Sequence, residues 1–366
     1  MHGSHYRISV FVTFALCLLL ALGGLYSDAR AQQPGPTAET ALAIQLYQQG
    51  HNPEALKALK EVVKKHPKDA LAWHYLGLSL VLKDDWKGAR KAFEKAVALR
   101  PDFAASRANL ANTLLFTKGA SEAEKQARQA LSLEPTNAEA HYVLGTVGLL
   151  RGLCADAAEQ ANMALSTNSN FPSAYLLRSQ SFICEIAKNT LKPFIFDGTV
   201  FKTSVDSSEV SKEVKLLNAQ KNAVGFQKAA ADLETFLNLA PHIPDASMWR
   251  EQVETLRLYA EPAEKTESER SVFISSEVTT KARILKKPEP SYTESARNAQ
   301  VEGTVVLRAI LAADGQVRNI LVLGRLPNGL TERAIEAARK IKFQPAVKDG
   351  RSVSLFVQIE YNFNLY

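Results

Sequence analysis

Hydrophobic positions change their spacing along the chain near residue 260. Before that point, apolar and small residues recur at helical spacing, and columns of them repeat every 34 residues, as Pro67, Pro101 and Pro135 do. After it, from 303 to 363, apolar and polar residues alternate, which is typical of strands. The pattern therefore predicts a helical repeat array followed by a small sheet domain.

The clearest copy of the repeat ends at residue 101. It has large apolar residues where two helices would meet, small residues where they would approach closely, and a proline after the second helix. These positions are Trp73, Leu76, Gly77, Leu80, Ala89, Phe93, Ala96 and Pro101. The set resembles the tetratricopeptide repeat. That resemblance implies an all-α solenoid, which we assign to residues 37–260.

The fifth repeat departs from this pattern. A first helix is expected over 173–188, but the matching second-helix pattern appears only at 229–241, and a capping helix is expected at 246–259. We assign 189–222 to an insertion, in which Asp197-Gly198 between apolar residues predicts a short hairpin. The insertion either contacts a partner or is a variable surface loop.

Tetratricopeptide arrays resemble one another in holding peptides in a concave groove lined by first-helix residues. Here the groove residues would be His74, Asn109, Asn112, Tyr142 and Thr146. Some members clamp a peptide carboxylate with basic residues, but this chain has Ala105 and Ala108 beside its asparagines, so we do not expect that ligand. A spacer or dimerisation scaffold is the alternative.

A charged stretch separates the array from the sheet domain. We assign 261–281 to a linker, whose tether could extend to 289, and 282–366 to a terminal domain. The order helix, strand, strand, helix, strand predicts a small α+β fold (αββαβ) with one sheet face covered by helix. The strands are expected at 303–311, 317–323 and 353–363, and the last of them alternates most strictly.

Motifs along the terminal domain carry a second resemblance. In order they are Pro290-x-Tyr292, Ala296-Arg297, Glu302-Gly303, Asp314-Gly315, Leu330, Ala334, Phe343-x-Pro345-Ala346 and Gly350-Arg351-x-Val353. They resemble the C-terminal domain of TonB proteins. That resemblance implies a periplasmic domain that pairs its last strand with a short segment, the TonB box, of an outer-membrane TonB-dependent receptor. The main chain of 353–362 would form the ladder, and the outward side chains would adjust specificity: Ser354, Phe356, Gln358, Glu360 and Asn362.

The N-terminus has the features of a targeting segment. An uncharged apolar run from Ile8 to Leu25 precedes Ala29-Arg30-Ala31, a small-x-small site, so 1–31 is predicted to be a signal peptide cleaved after Ala31. The alternative is an uncleaved anchor in the inner membrane. Either outcome places the rest of the chain in the periplasm of a Gram-negative-type bacterium.

Composition and missing motifs exclude several function classes. The net charge of +6 comes without a basic stripe or a motif for nucleic acid, so no nucleic-acid partner is expected. Phosphate loops, nucleophile elbows and spaced metal ligands are absent from the sequence, which predicts neither an enzyme nor a cofactor or metal site. Beyond Cys17, the two cysteines invite the hypothesis of a Cys154–Cys184 disulfide, with two buried free thiols as the favoured alternative.

Two function classes remain open. The first is an energy transducer for receptors that import siderophores or similar nutrients. The second is a soluble periplasmic adaptor that binds other envelope proteins through its repeats, without energy coupling. The family's transducers carry a histidine in their membrane helix and a long proline-rich spacer, whereas Ile8 to Leu25 contains no histidine and the linker is short. These differences weaken the case for energy coupling and leave receptor contact equally expected under both classes.

Overall fold

A computed structural model describes most of the chain after residue 35: residues 36–117, 119–190, 194–196, 199–201, 212–243, 246–260, 272–275, 277–298, 300–326 and 328–365. The proposed signal segment, with Ala29 and Ala31, and the first part of the linker lie outside these residues. Within the described ranges, no helix is both long enough and apolar enough to cross a membrane.

Paired antiparallel helices build the repeat array. Their bounds are α1 Ala38–Gln48, α2 Asn52–Lys65, α3 Ala70–Val81, α4 Trp86–Leu99, α5 Ala104–Thr117, α6 Ala120–Leu133, α7 Ala138–Leu150 and α8 Cys154–Thr167. The Asp69 carboxylate accepts from the N–H groups of Leu71 and Ala72, both at 3.0 Å, which caps α3. A Cβ on Gly77 would lie only 2.6 Å from Phe93 Cε1, so close helix packing requires glycine there.

The last part of the array is irregular, as its sequence predicted. Helix α9 spans Pro172–Thr190, a hairpin pairs β1 Phe194–Phe196 with β2 Thr199–Phe201, and helices α10 Lys212–Leu239 and α11 Ala246–Tyr259 follow. The predicted hairpin and capping helix are both present. Helix α10, however, begins inside the range that we assigned to the insertion, which makes the insertion shorter than expected.

The terminal domain has the predicted α+β core with additional short strands. Its elements are β3 Val272–Phe273, β4 Arg283–Lys286, α12 Glu294–Asn298, β5 Gly303–Leu311, β6 Val317–Gly324, α13 Leu330–Arg339, β7 Lys342–Gln344, β8 Ala346–Lys348 and β9 Arg351–Phe363. The main sheet has the order β3-β9-β5-β6, β8 also pairs with β9, and β4 pairs with β7 in a separate ladder. Strands β5 and β9 pair antiparallel over their full overlap, from Gly303 opposite Phe363 to Leu311 opposite Leu355.

Two of the short strands lie in the range where a tether was expected. Strand β3 runs parallel to β9, and β4 is antiparallel to β7. Between them, Thr280 exchanges two backbone hydrogen bonds with Val347, at 2.9 and 2.8 Å. The second half of the linker therefore packs along the terminal domain, and a tether extending to 289 does not fit this part of the structure.

Both faces of the sheet are covered. One face packs on α13 through Val305, Leu307 and Ile359. The other face carries Val306, Leu321 and Leu323, which belong to one buried cluster with residues of α10 and α11 in the repeat array. The expectation of a single covered face is therefore wrong, because the strands β5 and β6 are apolar on both sides.

Candidate functional site

Strand β9 has one occupied edge and one partly open edge. Strand β5 pairs with it from 355 to 363. On the opposite side, β8 pairs with 351–353 and β3 pairs with 354–355. Among the described residues no strand continues this side from 356 to 363. We call 356–362 the open edge; it is shorter than the 353–362 ladder expected from the sequence, because the chain itself pairs with the first part.

One side chain reaches the backbone of the open edge. Lys287 Nζ donates a hydrogen bond of 2.6 Å to the carbonyl oxygen of Glu360 and lies 4.5 Å from the centroid of the Tyr361 ring. Alternate residues of a strand point their N–H and C=O groups to the same side. The N–H of Gln358 therefore points the same way as the Glu360 carbonyl, which supports its availability to an added strand.

The five predicted side chains of β9 have different surroundings. Gln358 and Glu360 are exposed and bond each other, with Gln358 Nε2 donating to Glu360 Oε1 at 2.6 Å. Asn362 Oδ1 accepts from Thr304 Oγ1 at 2.7 Å, which ties it to β5. Ser354 Oγ accepts a hydrogen bond of 3.1 Å from the Ala313 N–H. Ser354 lies in the part of β9 that pairs with β3. Gln358 and Glu360 are thus the pair best placed to meet a partner.

Phe356 faces the repeat array instead of solvent. It is half-buried, and its ring centroid lies 5.2 Å from that of Tyr259 at the end of α11. The Arg308 guanidinium lies beside both rings, 4.7 Å from the Tyr259 centroid and 5.3 Å from the Phe356 centroid. Sequence reasoning did not single out Arg308; a charge inside the apolar run of β5 is the signal that could have found it.

His74 does not line an open groove. Its side chain is buried, its Nδ1 lies 2.9 Å from Ser106 Oγ on the next first helix, and its ring packs near Phe103. Burial disfavours the charged imidazolium and lowers the pKa of His74 to about 4. The structure therefore corrects its assignment: His74 joins neighbouring repeats and is not accessible to a peptide.

The other groove residues lie half-buried on α5 and α7. Asn109 Nδ2 donates to the Ala105 carbonyl at 2.9 Å, and Thr146 Oγ1 donates to the Tyr142 carbonyl at 2.9 Å. Burial raises the pKa of Tyr142, whose ring centroid is 5.2 Å from that of Phe171. Together with Asn112, these residues form a polar patch in the array, which stays a proposal as a binding surface.

A disulfide joins consecutive helices at the end of the array. Cys154 at the start of α8 is bonded to Cys184 in α9, and their Cα atoms are 5.7 Å apart. The favoured alternative from the sequence, two free thiols, is not the state of these residues in the structure.

Family models match both parts of the chain. Residues 288–365 match the Gram-negative bacterial TonB protein C-terminal model, and residues 40–104 and 80–145 match tetratricopeptide repeat models. These domain types belong to scaffold or transducer families.

Curated relatives match a limited part of the chain. Protein TonB of Klebsiella aerogenes is 31% identical over 81 residues, which cover 22% of this chain and 33% of the relative. Protein TonB of Vibrio cholerae is 30% identical over 99 residues, covering 25% of this chain and 41% of the relative. The chain thus spans about a third of the first relatives that it matches. The matches indicate a Gram-negative envelope protein.

Solved structures of repeat proteins are similar to part of the chain. A crystal structure of the MamA protein covers 56% of this chain and 94% of its own, at 18% identity and a TM-score of 0.36. A thermophilic TPR protein of Thermus thermophilus covers 60% of this chain and 97% of its own, at 16% identity and a TM-score of 0.41. The family models and the observed elements together show that the chain carries tetratricopeptide repeats followed by a TonB-type C-terminal domain.

Proposed function

We propose that this protein binds a short extended peptide along the open edge of β9, as an added strand beside 356–362. The observation that carries the proposal concerns the pairing of β9. Among the described residues, β9 has strands on both sides up to Leu355 and a strand on one side only beyond it. An unpaired strand edge offers a row of donors and acceptors that a peptide can complete. Affinity then comes from main-chain hydrogen bonds, and Gln358 and Glu360 adjust specificity.

The proposed partner is the periplasmic segment of an outer-membrane TonB-dependent receptor. The TonB-type domain supports this choice, because the resemblance implies this mode of recognition. The repeats would act as a scaffold for other envelope proteins. Energy transduction for nutrient import is part of the proposal only if residues 1–31 remain as an anchor in the inner membrane.

A periplasmic adaptor without energy coupling is the second candidate. The packing of α11 against the sheet favours it, because the terminal domain is held against the repeats and does not hang from a free tether. Cell fractionation with N-terminal sequencing separates the two candidates. A mature N-terminus at Gln32 in the soluble fraction supports the adaptor, whereas an uncleaved protein in the inner membrane supports the transducer.

Titration of the full-length protein with receptor peptides tests the peptide proposal. The probes are the periplasmic N-terminal peptides of outer-membrane receptors from the same organism, with composition-matched scrambled peptides as controls. We expect binding of at least one receptor peptide and no binding of its scrambled control. If no receptor peptide binds, the receptor proposal fails, and peptides from other envelope proteins should then be tested against the patch on α5 and α7.

A further inference from the structure

A cavity lies between the repeat array and the terminal sheet, away from the open edge. Helices α9, α10 and α11 form one side, and β6 with α13 forms the other. The cavity is partly open to solvent. Its walls are mostly aliphatic and aromatic side chains, among them Leu176, Ile183, Leu233, Trp249, Leu323 and Ile335.

Arg325 is the only charged residue that lines this cavity within the part of the chain that the structure describes. It directly follows β6, and its guanidinium lies 5.6 Å from the centroid of the Trp249 ring. None of the described residues forms a hydrogen bond or an ion pair with it. Glu332 acts on it only through longer-range attraction, and burial lowers the pKa of Arg325.

An unpaired guanidinium beside apolar walls has a clear chemical complement. Arg325 is half-buried, and a partly desolvated guanidinium gains free energy from an opposite charge and from hydrogen bonds. Arginine presents several donors in a planar fork, which matches a carboxylate in particular. The lining also contains Ser179, Gln180 and Gln252; Ser179 and Gln252 already donate hydrogen bonds to the Ala229 and Ile320 carbonyls. Most of the remaining wall is aliphatic or aromatic and matches a hydrocarbon chain.

We propose that this cavity binds an amphipathic anion: an unbranched hydrocarbon chain that ends in a carboxylate. The carboxylate pairs with Arg325, and the chain extends among Leu176, Ile183 and Leu233. This site is distinct from the peptide edge and does not depend on peptide binding. Its walls come from both domains, so the ligand contacts the repeat array and the sheet at the same time.

Calorimetric titration of the full-length protein tests the ligand class. The probes are decanoate, octanoate and decyltrimethylammonium, all below their micellar concentrations. We expect decanoate to bind with one site per chain, and octanoate to bind about tenfold more weakly because it lacks two methylene groups. Decyltrimethylammonium has the same chain with a cationic head, so it should not bind measurably. Absence of decanoate binding, or equal binding of the cationic probe, overturns the proposal.

Matched variants test the role of Arg325. Arg325→Gln should weaken decanoate binding by about tenfold to a hundredfold, since it removes a charge-assisted pair. Arg318→Gln is the control: Arg318 is an exposed arginine on the same strand, paired with Asp314, and its loss should leave binding unchanged. Unchanged affinity in Arg325→Gln overturns the assignment of this residue.

A second variant fills the cavity and leaves its charge in place. Ile335→Trp enlarges a half-buried wall residue on α13 and should abolish decanoate binding. Circular dichroism and thermal unfolding establish that each variant folds. If a folded Ile335→Trp variant binds decanoate as the wild type does, the ligand lies elsewhere and the proposal is wrong.

Discussion

The two edges of the terminal sheet are treated in opposite ways by the same chain. Along β6, the repeat array covers the strand: Gln252 Nε2 donates to the Ile320 carbonyl at 2.7 Å, and Tyr259 Oη donates to the Asn319 carbonyl at 3.4 Å. Along β9, two short strands cover only the first residues, and the edge from 356 to 362 has no strand beside it among the described residues.

This difference separates backbone groups that the chain satisfies itself, along β6, from backbone groups that stay available to a partner, along β9. An exposed strand edge is a hazard that proteins normally block with charges, loops or helices. On the β6 side, Gln252 and Tyr259 of α11 hydrogen-bond carbonyls of the strand. The adjoining sheet face, with Leu321 and Leu323, packs on the repeat array. The open edge of β9 instead presents Gln358, Glu360 and the Lys287 ammonium. Polar side chains keep such an edge soluble while its main chain stays available.

The largest effect is expected from proline on the open edge. Gln358→Pro removes a backbone donor and should abolish receptor-peptide binding, because strand addition depends on main-chain hydrogen bonds. Gln358→Ala keeps the donor and should change the affinity only modestly. Both are measured by peptide titration of the full-length protein, with circular dichroism to establish folding. Equal binding by a folded proline variant would show that the peptide does not add to β9 at this position.

The sheet face that packs on the repeat array should carry more stability than an exposed position elsewhere in the terminal domain. Leu321 is fully buried under the repeat array, so Leu321→Ala should lower the free energy of unfolding by about 2–5 kcal/mol. Leu285 on β4 is 59% exposed, and Leu285→Ala should change it by less than about 0.5 kcal/mol. Urea unfolding measures both variants. A neutral Leu321→Ala would mean that the array does not pack on the sheet in solution.

The disulfide joins α8 to α9, and α9 contributes to the buried cluster that packs against the sheet. Replacing both Cys154 and Cys184 by alanine should lower the free energy of unfolding by about 2–4 kcal/mol, because the disulfide reduces the conformational entropy of the unfolded chain. Peptide affinity at the open edge should stay the same. Mass mapping of the non-reduced protein checks the bond itself: alkylation of both thiols without prior reduction would rule it out.

The smallest expected effects on stability come from two matched glutamine-to-alanine variants, one on each side of the sheet. Gln252→Ala removes the hydrogen bond to the Ile320 carbonyl and should cost about 1 kcal/mol of stability. Gln358→Ala, on the open edge, should cost none, because among the described residues this exposed side chain bonds Glu360 alone. Thermal unfolding of the two variants compares them directly. Equal losses would remove the distinction between the edges.

Much of the fold follows from spacing in the sequence. The 34-residue columns predicted the helix pairs, and Gly77 against Phe93 gives the physical reason for one small position. Alternation predicted β5 at Gly303–Leu311 as observed. The capping helix expected after the repeats is present at Ala246–Tyr259. These elements are regular, with one periodic pattern each, so local spacing is sufficient to find them.

The parts that sequence reasoning missed depend on contacts between distant segments. Strand β3 has two residues and pairs with β9 from within a charged linker, where no local pattern marks it. The second covered face could have been predicted from the sequence. Strand β6 contains an apolar run without alternation, Ile320 to Leu323, and such runs indicate burial on both sides of a sheet. His74 was placed in the groove from its column, but its partner Ser106 comes from the next repeat.

Amide hydrogen exchange with and without a bound receptor peptide tests the central claim most directly. An added strand hydrogen-bonds the backbone that it covers and slows exchange there. We expect the peptide to increase protection within 356–362, most clearly at Gln358 and Glu360, and to leave β6 unchanged. If a peptide binds and the new protection appears only on the repeat helices, with none along β9, the account of the open edge is contradicted.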